Sequence, residues 1–220
     1  MNGARAGNGA LPDMKVRSTF ITCVALCASA FGAARAQAQL QPQPQPPPPP
    51  IELPGYSLDP THTFVHWEVL HMGTSTIRGR FDRSSGSAQF DAKAQRIDVG
   101  IVIDTASVNS GVKVLDTLLR GTSMLATDAN PQAFFVARNA RFEGEVPREV
   151  RGEFTLRGVS QSLTLRALRW NCALSLVLRR EVCGGDFEGQ FDRSTFGITH
   201  SLPFVADRVR LLVQVEAIKQ

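Results

Sequence analysis

Four histidines and one nearby glutamate are the first residues in this 220-residue chain whose types suggest chemistry. His62, His66 and Glu68 occupy even positions of segment 61–73, whereas His71 falls on the odd side with Val65, Trp67 and Val69. A transition metal needs three or four imidazole, thiolate or carboxylate ligands converging on one point. Strand alternation sends His71 to the face opposite His62 and His66, and no cysteine or paired carboxylate completes a set, so no metal site is expected. Covalent catalysis would need a nucleophile, an activating base and an orienting group. No Gly-x-Ser-x-Gly, His-Glu-x-x-His, phosphate loop or dinucleotide fingerprint occurs, and Ser160 and Ser162 near Arg157 read as turn residues. The expectation is a protein with no catalytic residues and no cofactor.

Thiol chemistry depends on the compartment. Lys15 and Arg17 precede an apolar run over 20–31, and the small-residue pattern Ala34-Arg35-Ala36-Gln37-Ala38 follows. These are the three parts of a cleaved signal peptide over 1–38, with Met14 as an alternative start and periplasmic delivery as the consequence. Cys23 and Cys27 leave with the leader, so Cys172 and Cys183 remain as an even pair in an oxidising space and are expected to bond. Closing that loop stabilises the fold by about 2 to 3 kcal/mol. A redox-active pair would sit closer, as in Cys-x-x-Cys.

Removing the leader takes away Arg5, Lys15, Arg17, Arg35 and Asp13 and leaves 20 basic against 19 acidic residues. The basic excess of the whole chain is thus largely a property of the leader, and nucleic-acid binding loses its electrostatic basis. Arg166, Arg169, Arg179 and Arg180 read as a solvated outer surface. Residues 39–54 open with alternating Gln and Pro and five consecutive prolines, a polyproline spacer of about 35 Å before the domain at 55–220.

The elements that would position any site are mostly strands. Val65, Trp67 and Val69 form one apolar face; Ile97, Val99, Ile101 and Ile103 form another; Leu163, Leu165 and Ala167, then Phe187, Gly189, Phe191 and Arg193, then Val209 to Ala217 at every second position, continue the pattern. Turn signals at 84–86, 143–145 and 183–186 separate them, as in an antiparallel barrel or sandwich. Between residues 112 and 130, Leu115, Leu118, Leu119, Met124 and Leu125 recur at helical offsets, which predicts one or two short helices closing an end of the barrel. The inward faces could pack on one another or leave a tunnel, and alternation alone leaves both open.

Three blocks taken together resemble the YceI-like proteins: Tyr56-x-Leu58-Asp59-x-x-His62-x-x-Val65-x-Trp67-x-Val69-x-His71-x-Gly73, then Gly152-x-Phe154-Thr155-Leu156-Arg157-Gly158-Val159, then Arg193-Ser194-Thr195-Phe196-Gly197-Ile198. The resemblance runs from Tyr56 to Ala217, and the cysteine pair is similar to that of the exported subgroup with an added disulfide. It implies an all-β, lipocalin-like antiparallel barrel of about eight strands with a short helical insertion, holding a long isoprenoid-like or amphipathic lipid such as a polyprenyl or quinone tail in an elongated apolar tunnel.

Carried over residue by residue, Val65, Trp67 and Val69 become tunnel wall with Trp67 the broadest. Val99, Ile101 and Ile103 line the next strand, Phe154 and Leu156 the second block, and Phe191, Arg193 and Phe196 the third. Arg193 is expected to meet an acid or a ligand head group, with a structural ion pair to Asp59 or Asp192 as the alternative. His71 is either a tunnel-mouth hydrogen-bonding group or a structural histidine. The chain departs from the family where Leu115-Asp116-Thr117-Leu118-Leu119 replaces Arg-Asp-x-His-Leu, where Met124 and Leu125 replace paired phenylalanines, and at Asn130. The resulting expectation is a periplasmic, non-enzymatic carrier or sequestering protein, monomer or dimer, for an apolar lipid. The alternative is an envelope stress or partner-binding protein with a filled barrel beside a membrane redox protein.

Overall fold

Alternation of buried and exposed residues fixes nearly every element of the computed structural model, which describes residues 55–220; the leader and linker expected over 1–54 lie outside the described residues. In chain order the strands are β1 (Gly55–Leu58), β2 (Phe64–His71), β3 (Ser75–Phe81), β4 (Ser84–Asp91), β5 (Arg96–Asp104) and β6 (Val108–Asn109). After helix α1 (Lys113–Arg120) come β7 (Gln132–Glu143), β8 (Val146–Leu156), β9 (Val159–Ser175), β10 (Arg180–Asp192) and β11 (Val205–Lys219). All pairings are antiparallel, and the order β1-β4-β5-β7-β8-β9-β10-β11 closes on itself through β1–β11. This is the expected eight-strand barrel.

Three strand positions are broken, and the breaks shape the interior. One side of β11 pairs with β1 through Ala217 and with β2 through Val213, so β1 and β2 are two parts of one barrel position. The break is a turn in which Thr61 N and Oγ1 both donate to Asp59 Oδ1. β3 and β4 divide at Asp82 and Arg83, and β5 and β6 at a 3-10 turn over Thr105–Ser107 capped by Asp104, which accepts from Ala106 N. β2, β3 and β6 therefore leave the closed ring as a three-stranded flap hinged on β11.

β6 pairs with β3 and not with β7, and the chain between them supplies α1 and the turns of 121–131. Buried Thr105 fastens this insertion: its Oγ1 donates to Asn130 O at 2.6 Å and its N to Pro131 O at 3.0 Å. The helical expectation over 112–130 resolves into one helix ending at Gly121. The residues beyond it are held as turns, with Leu125 N on Leu119 O and Thr127 N on Arg120 O.

A bulge between β9 and β10 changes which side chains face inward. Ala167 pairs with Phe187 and Arg169 with Asp186, so one extra β9 residue opposes β10. Leu163, Leu165 and Ala167 point inward before it, and Trp170 after it, while Arg169 turns out to pair with Asp186 at 2.8 Å. Cys172 and Cys183 then stand directly opposite and are bonded, Cα–Cα 4.0 Å.

Candidate functional site: an axial apolar chamber

Residues facing the barrel axis do not all touch, and the space between them forms three lobes rather than one open tunnel. The largest, about 100 Å³, lies at the α1 end between β2, β3, β8, β11 and the insertion. A middle lobe of about 20 Å³ shares Val65, Ile103, Phe154 and Leu211 with it. A third, about 60 Å³, shares Ile101, Phe135, Leu165 and Val213 with the middle one and reaches Trp170, Cys183 and Phe187 at the disulfide end. The elongated tunnel implied by the resemblance is thus a beaded line, narrowest at the middle lobe, which Phe135, Phe154 and Leu165 line from the neighbouring strands β7, β8 and β9.

The wall of the large lobe carries no hydroxyl, thiol, carboxylate or imidazole, and its polar groups are the Arg193 guanidinium and the Trp67 indole N–H. Val65, Trp67, Val69, Ile103, Phe154, Leu156, Phe191 and Arg193 all line it, as their inward positions predict. Phe154 and Leu156 face in together because the intervening Thr155 faces out, its hydroxyl on Ser160 Oγ at 2.8 Å. Ile101 borders the middle and far lobes and Val99 the far one. His71, at the end of β2, borders none of the three. Phe196 is buried behind the wall, its ring 5.5 Å from Phe154 and 5.2 Å from Phe191 by centroid.

Arg193 requires a correction. It is only 4% exposed, and it forms no ion pair with an acid. Its Nε donates to Ala206 O at 2.9 Å, Nη1 to Ile198 O and His200 O at 3.0 and 2.8 Å, and Nη2 to Val205 O at 2.9 Å. The two aspartates expected as partners are engaged elsewhere, Asp192 with Arg208 at 2.6 Å and Asp59 with His62 at 2.7 Å. A guanidinium supplies five N–H donors in a rigid fork, which suits it to gather carbonyls from a loop that has no ladder of its own. Arg193 thereby fixes loop 197–206, and with it Ile198 and Val205 in the chamber wall.

Trp67 depends on a glycine. It pairs with Gly79 across β2 and β3, and a Cβ there would overlap the indole at Cζ2 and lie 2.7 Å from Asn109 O. The ring fills the space that this missing side chain leaves. Its Nε1 is buried without an acceptor among the described residues.

The inserted segment closes the α1 end with Leu119, Met124 and Leu125. Asp116 accepts from Ser110 N and Oγ at 2.7 and 2.6 Å, which ties the start of α1 to the end of β6 and holds its carboxyl below the usual range. Arg157, in the β8–β9 turn, donates to the carbonyls of Thr122 and Met124 and holds the segment from the other side. Sequence reasoning placed Leu119, Met124 and Leu125 at the closed end from their helical offsets. Ala133, Ile198 and Trp170 carried no comparable signal.

Asp59, His62 and Glu216 bring their ligand atoms within 4.8 Å of one another on the outer surface. Hydrogen bonds from His62 and then Thr61 pull Asp59 down to about 2, while Asp59 and then Glu216 raise the His62 pKa. The group is held together by its own contacts as an ion-paired turn, His62 Nδ1 lying 2.7 Å from Asp59 Oδ2 and 3.9 Å from Glu216 Oε2.

Residues 56–217 match the family model described as the YceI-like domain. A UPF0312 protein of Pseudomonas aeruginosa is 30% identical over 166 residues, covering 72% of this chain and 83% of the relative. Protein YceI of Salmonella arizonae is 30% identical over 160 residues with the same coverage. Among solved structures, BcnA of Burkholderia cenocepacia superimposes with a TM-score of 0.60 at 23% identity over 72% of this chain and 98% of that one. A polyisoprenoid-binding domain of Saccharophagus degradans gives 0.52 at 17% identity over 75% and 98%. At these identities the structural likeness is one of fold.

Proposed function

The chain belongs to the YceI-like family, and from that premise we propose that it is an exported carrier or sequestering protein for a long apolar, isoprenoid-like lipid tail, acting by binding and not by catalysis. The observation that carries this reading is the large lobe, whose wall is hydrocarbon apart from the Trp67 indole N–H and an arginine that holds four carbonyls. Such a wall rewards an apolar guest by about 0.8 kcal/mol per methylene-sized unit and penalises any polar one. The polyisoprenoid-binding neighbour supports the class of guest. The disulfide supports an oxidising compartment, and the periplasm is the proposed site of action.

Size limits the bound state. A cavity of roughly 150 Å³ takes up benzene, so the large lobe as it stands accepts on the order of one isoprene unit. A longer tail threads the middle and far lobes only by rotating side chains at the waist, among them Phe135 and Leu165, or by lifting Met124 and Leu125 at the mouth. Binding is therefore coupled to repacking, and the affinity gained from tail burial is reduced by the cost of opening the waist.

The test is native mass spectrometry of protein recovered from its own cells, followed by organic extraction. A mass adduct that extracts into solvent as an apolar chain is the expected result. Protein of bare mass from cells rich in such lipids, with no adduct after addition of polyprenols, would overturn the reading.

A further inference from the structure

The turn between β9 and β10 is made of the wrong residues for a turn. Such positions favour Gly, Asn, Asp and Ser, which tolerate left-handed backbone or bond to it locally. Here the turn is Leu176-Val177-Leu178-Arg179, with Leu176 at 86% exposure, Val177 at 91%, Leu178 at 47% and neighbouring Leu174 at 65%. Arg179 takes the left-handed conformation at φ 52°, where glycine would sit without strain. The turn is nonetheless well built: Arg179 N donates to Ser175 O at 2.7 Å, and the Cys172–Cys183 bond crosses the hairpin just below.

Arg179 and Arg180 are both exposed, and neither has an ion-pair partner among the described residues. β9 runs 17 residues, about 50 Å, from the turn beside Arg157 to this tip. The tip therefore stands at the barrel end away from α1, the end where β1 meets the last residues of β11.

We propose that this disulfide-braced hairpin tip inserts into the surface of an anionic lipid bilayer, with the leucines and Val177 among the acyl chains and Arg179 and Arg180 at the head groups. Two features favour a bilayer over a protein partner. A specific protein interface draws on roughly 800 Å² from each side, contributed by about 20 to 30 residues. A single convex turn offers only a few. An apolar tip ringed by unpaired cations instead matches the order of layers at an anionic membrane surface, hydrocarbon below and phosphate above. The disulfide keeps the tip from folding back to bury its own leucines. This inference rests on the outer surface and not on the chamber.

Vesicle flotation of the exported protein without the leader 1–38 tests it, using phosphatidylcholine–phosphatidylglycerol vesicles, pure phosphatidylcholine vesicles, and the variants Leu176→Asn/Val177→Asn and Arg179→Gln/Arg180→Gln. Both pairs are exposed, so neither change disturbs the core. The wild type is expected to float with anionic vesicles. The apolar variant should lose about tenfold or more in partitioning, and the arginine variant should lose its preference for the anionic lipid. Failure of the wild type to float would overturn the proposal, as would equal flotation of Leu176→Asn/Val177→Asn. Sedimentation of the same samples covers the remaining occupant: a self-association broken by Leu176→Asn/Val177→Asn, without vesicle binding, would make the tip a protein contact and the membrane assignment wrong.

Discussion

Gly79 and Arg193 carry more of the chamber's shape than the residues that face it. Adding one methyl at Gly79 forces the Trp67 ring off its seat or pushes β6 away at Asn109, so Gly79→Ala is expected to cost about 1 to 3 kcal/mol in urea denaturation. The same change should shift the Trp67 emission. Arg193→Met removes the donors to four carbonyls, that of Ile198 buried and the other three part-buried, a loss of about 3 kcal/mol. Arg193→Lys should recover little of this, because an ammonium has three donors and no planar fork. Alternation in the sequence identified residues that face inward, Trp67 and Leu211 among them, and the family resemblance added Phe154. It could not show what Arg193 bonds to, since its partners are backbone carbonyls of a loop and any loop sequence offers those.

At the scale of elements, the strands were legible wherever period two continued unbroken, and illegible where a bulge reset it. Counting on from Ala167 puts Arg169 inside and Trp170 outside; the extra residue opposite β10 reverses both, and its position depends on pairing rather than on local sequence. The insertion was legible as apolar at helical spacing. Its second half is held by Arg157 from a distant turn, and local sequence does not reveal that hold. Arg157→Ala should therefore speed hydrogen exchange of amides at 121–130 while leaving the rest of the barrel protected, a local opening in place of global unfolding. The disulfide belongs to this scale too. Replacing Cys172 and Cys183 by alanine should lower stability by about 2 to 3 kcal/mol, read from the urea midpoint.

Over the whole molecule, charge is spent on the outside of the barrel. Arg78 meets Glu68 at 2.8 Å, Glu68 meets Arg210 at 3.2 Å, Arg210 meets Glu188 at 2.6 Å, and Glu188 meets Arg166, one residue on each of the neighbouring strands β3, β2, β11, β10 and β9. Arg78 and Arg210 hold Glu68 below the usual carboxylate range, and Arg210 and Arg166 do the same for Glu188. Exposed pairs contribute little singly, but a belt pins register. Because these folded-state pKa values are lowered, as is that of Asp59 at about 2, their stabilisation is present above the ordinary carboxylate range and disappears as pH falls from about 4 towards 2. His62 has the opposite sign: its raised pKa stabilises below about 6.5 and is lost as pH rises past that. Thermal melts against pH should fall steeply on the acid side, and His62→Ala should flatten the shallower decline as pH rises past about 6.5.

The chain has two tryptophans, and they flank the axial line: Trp67 in the wall of the large lobe and Trp170 in that of the far one. Fluorescence titration with polyprenols of short and long chain, in Trp170→Phe and Trp67→Phe protein, reads each lobe separately. A short chain should change Trp67 alone, and a long one should change both with a single saturating midpoint. If neither tryptophan responds saturably to any chain length, the interior does not open to an apolar tail and the account of this barrel as a carrier is wrong.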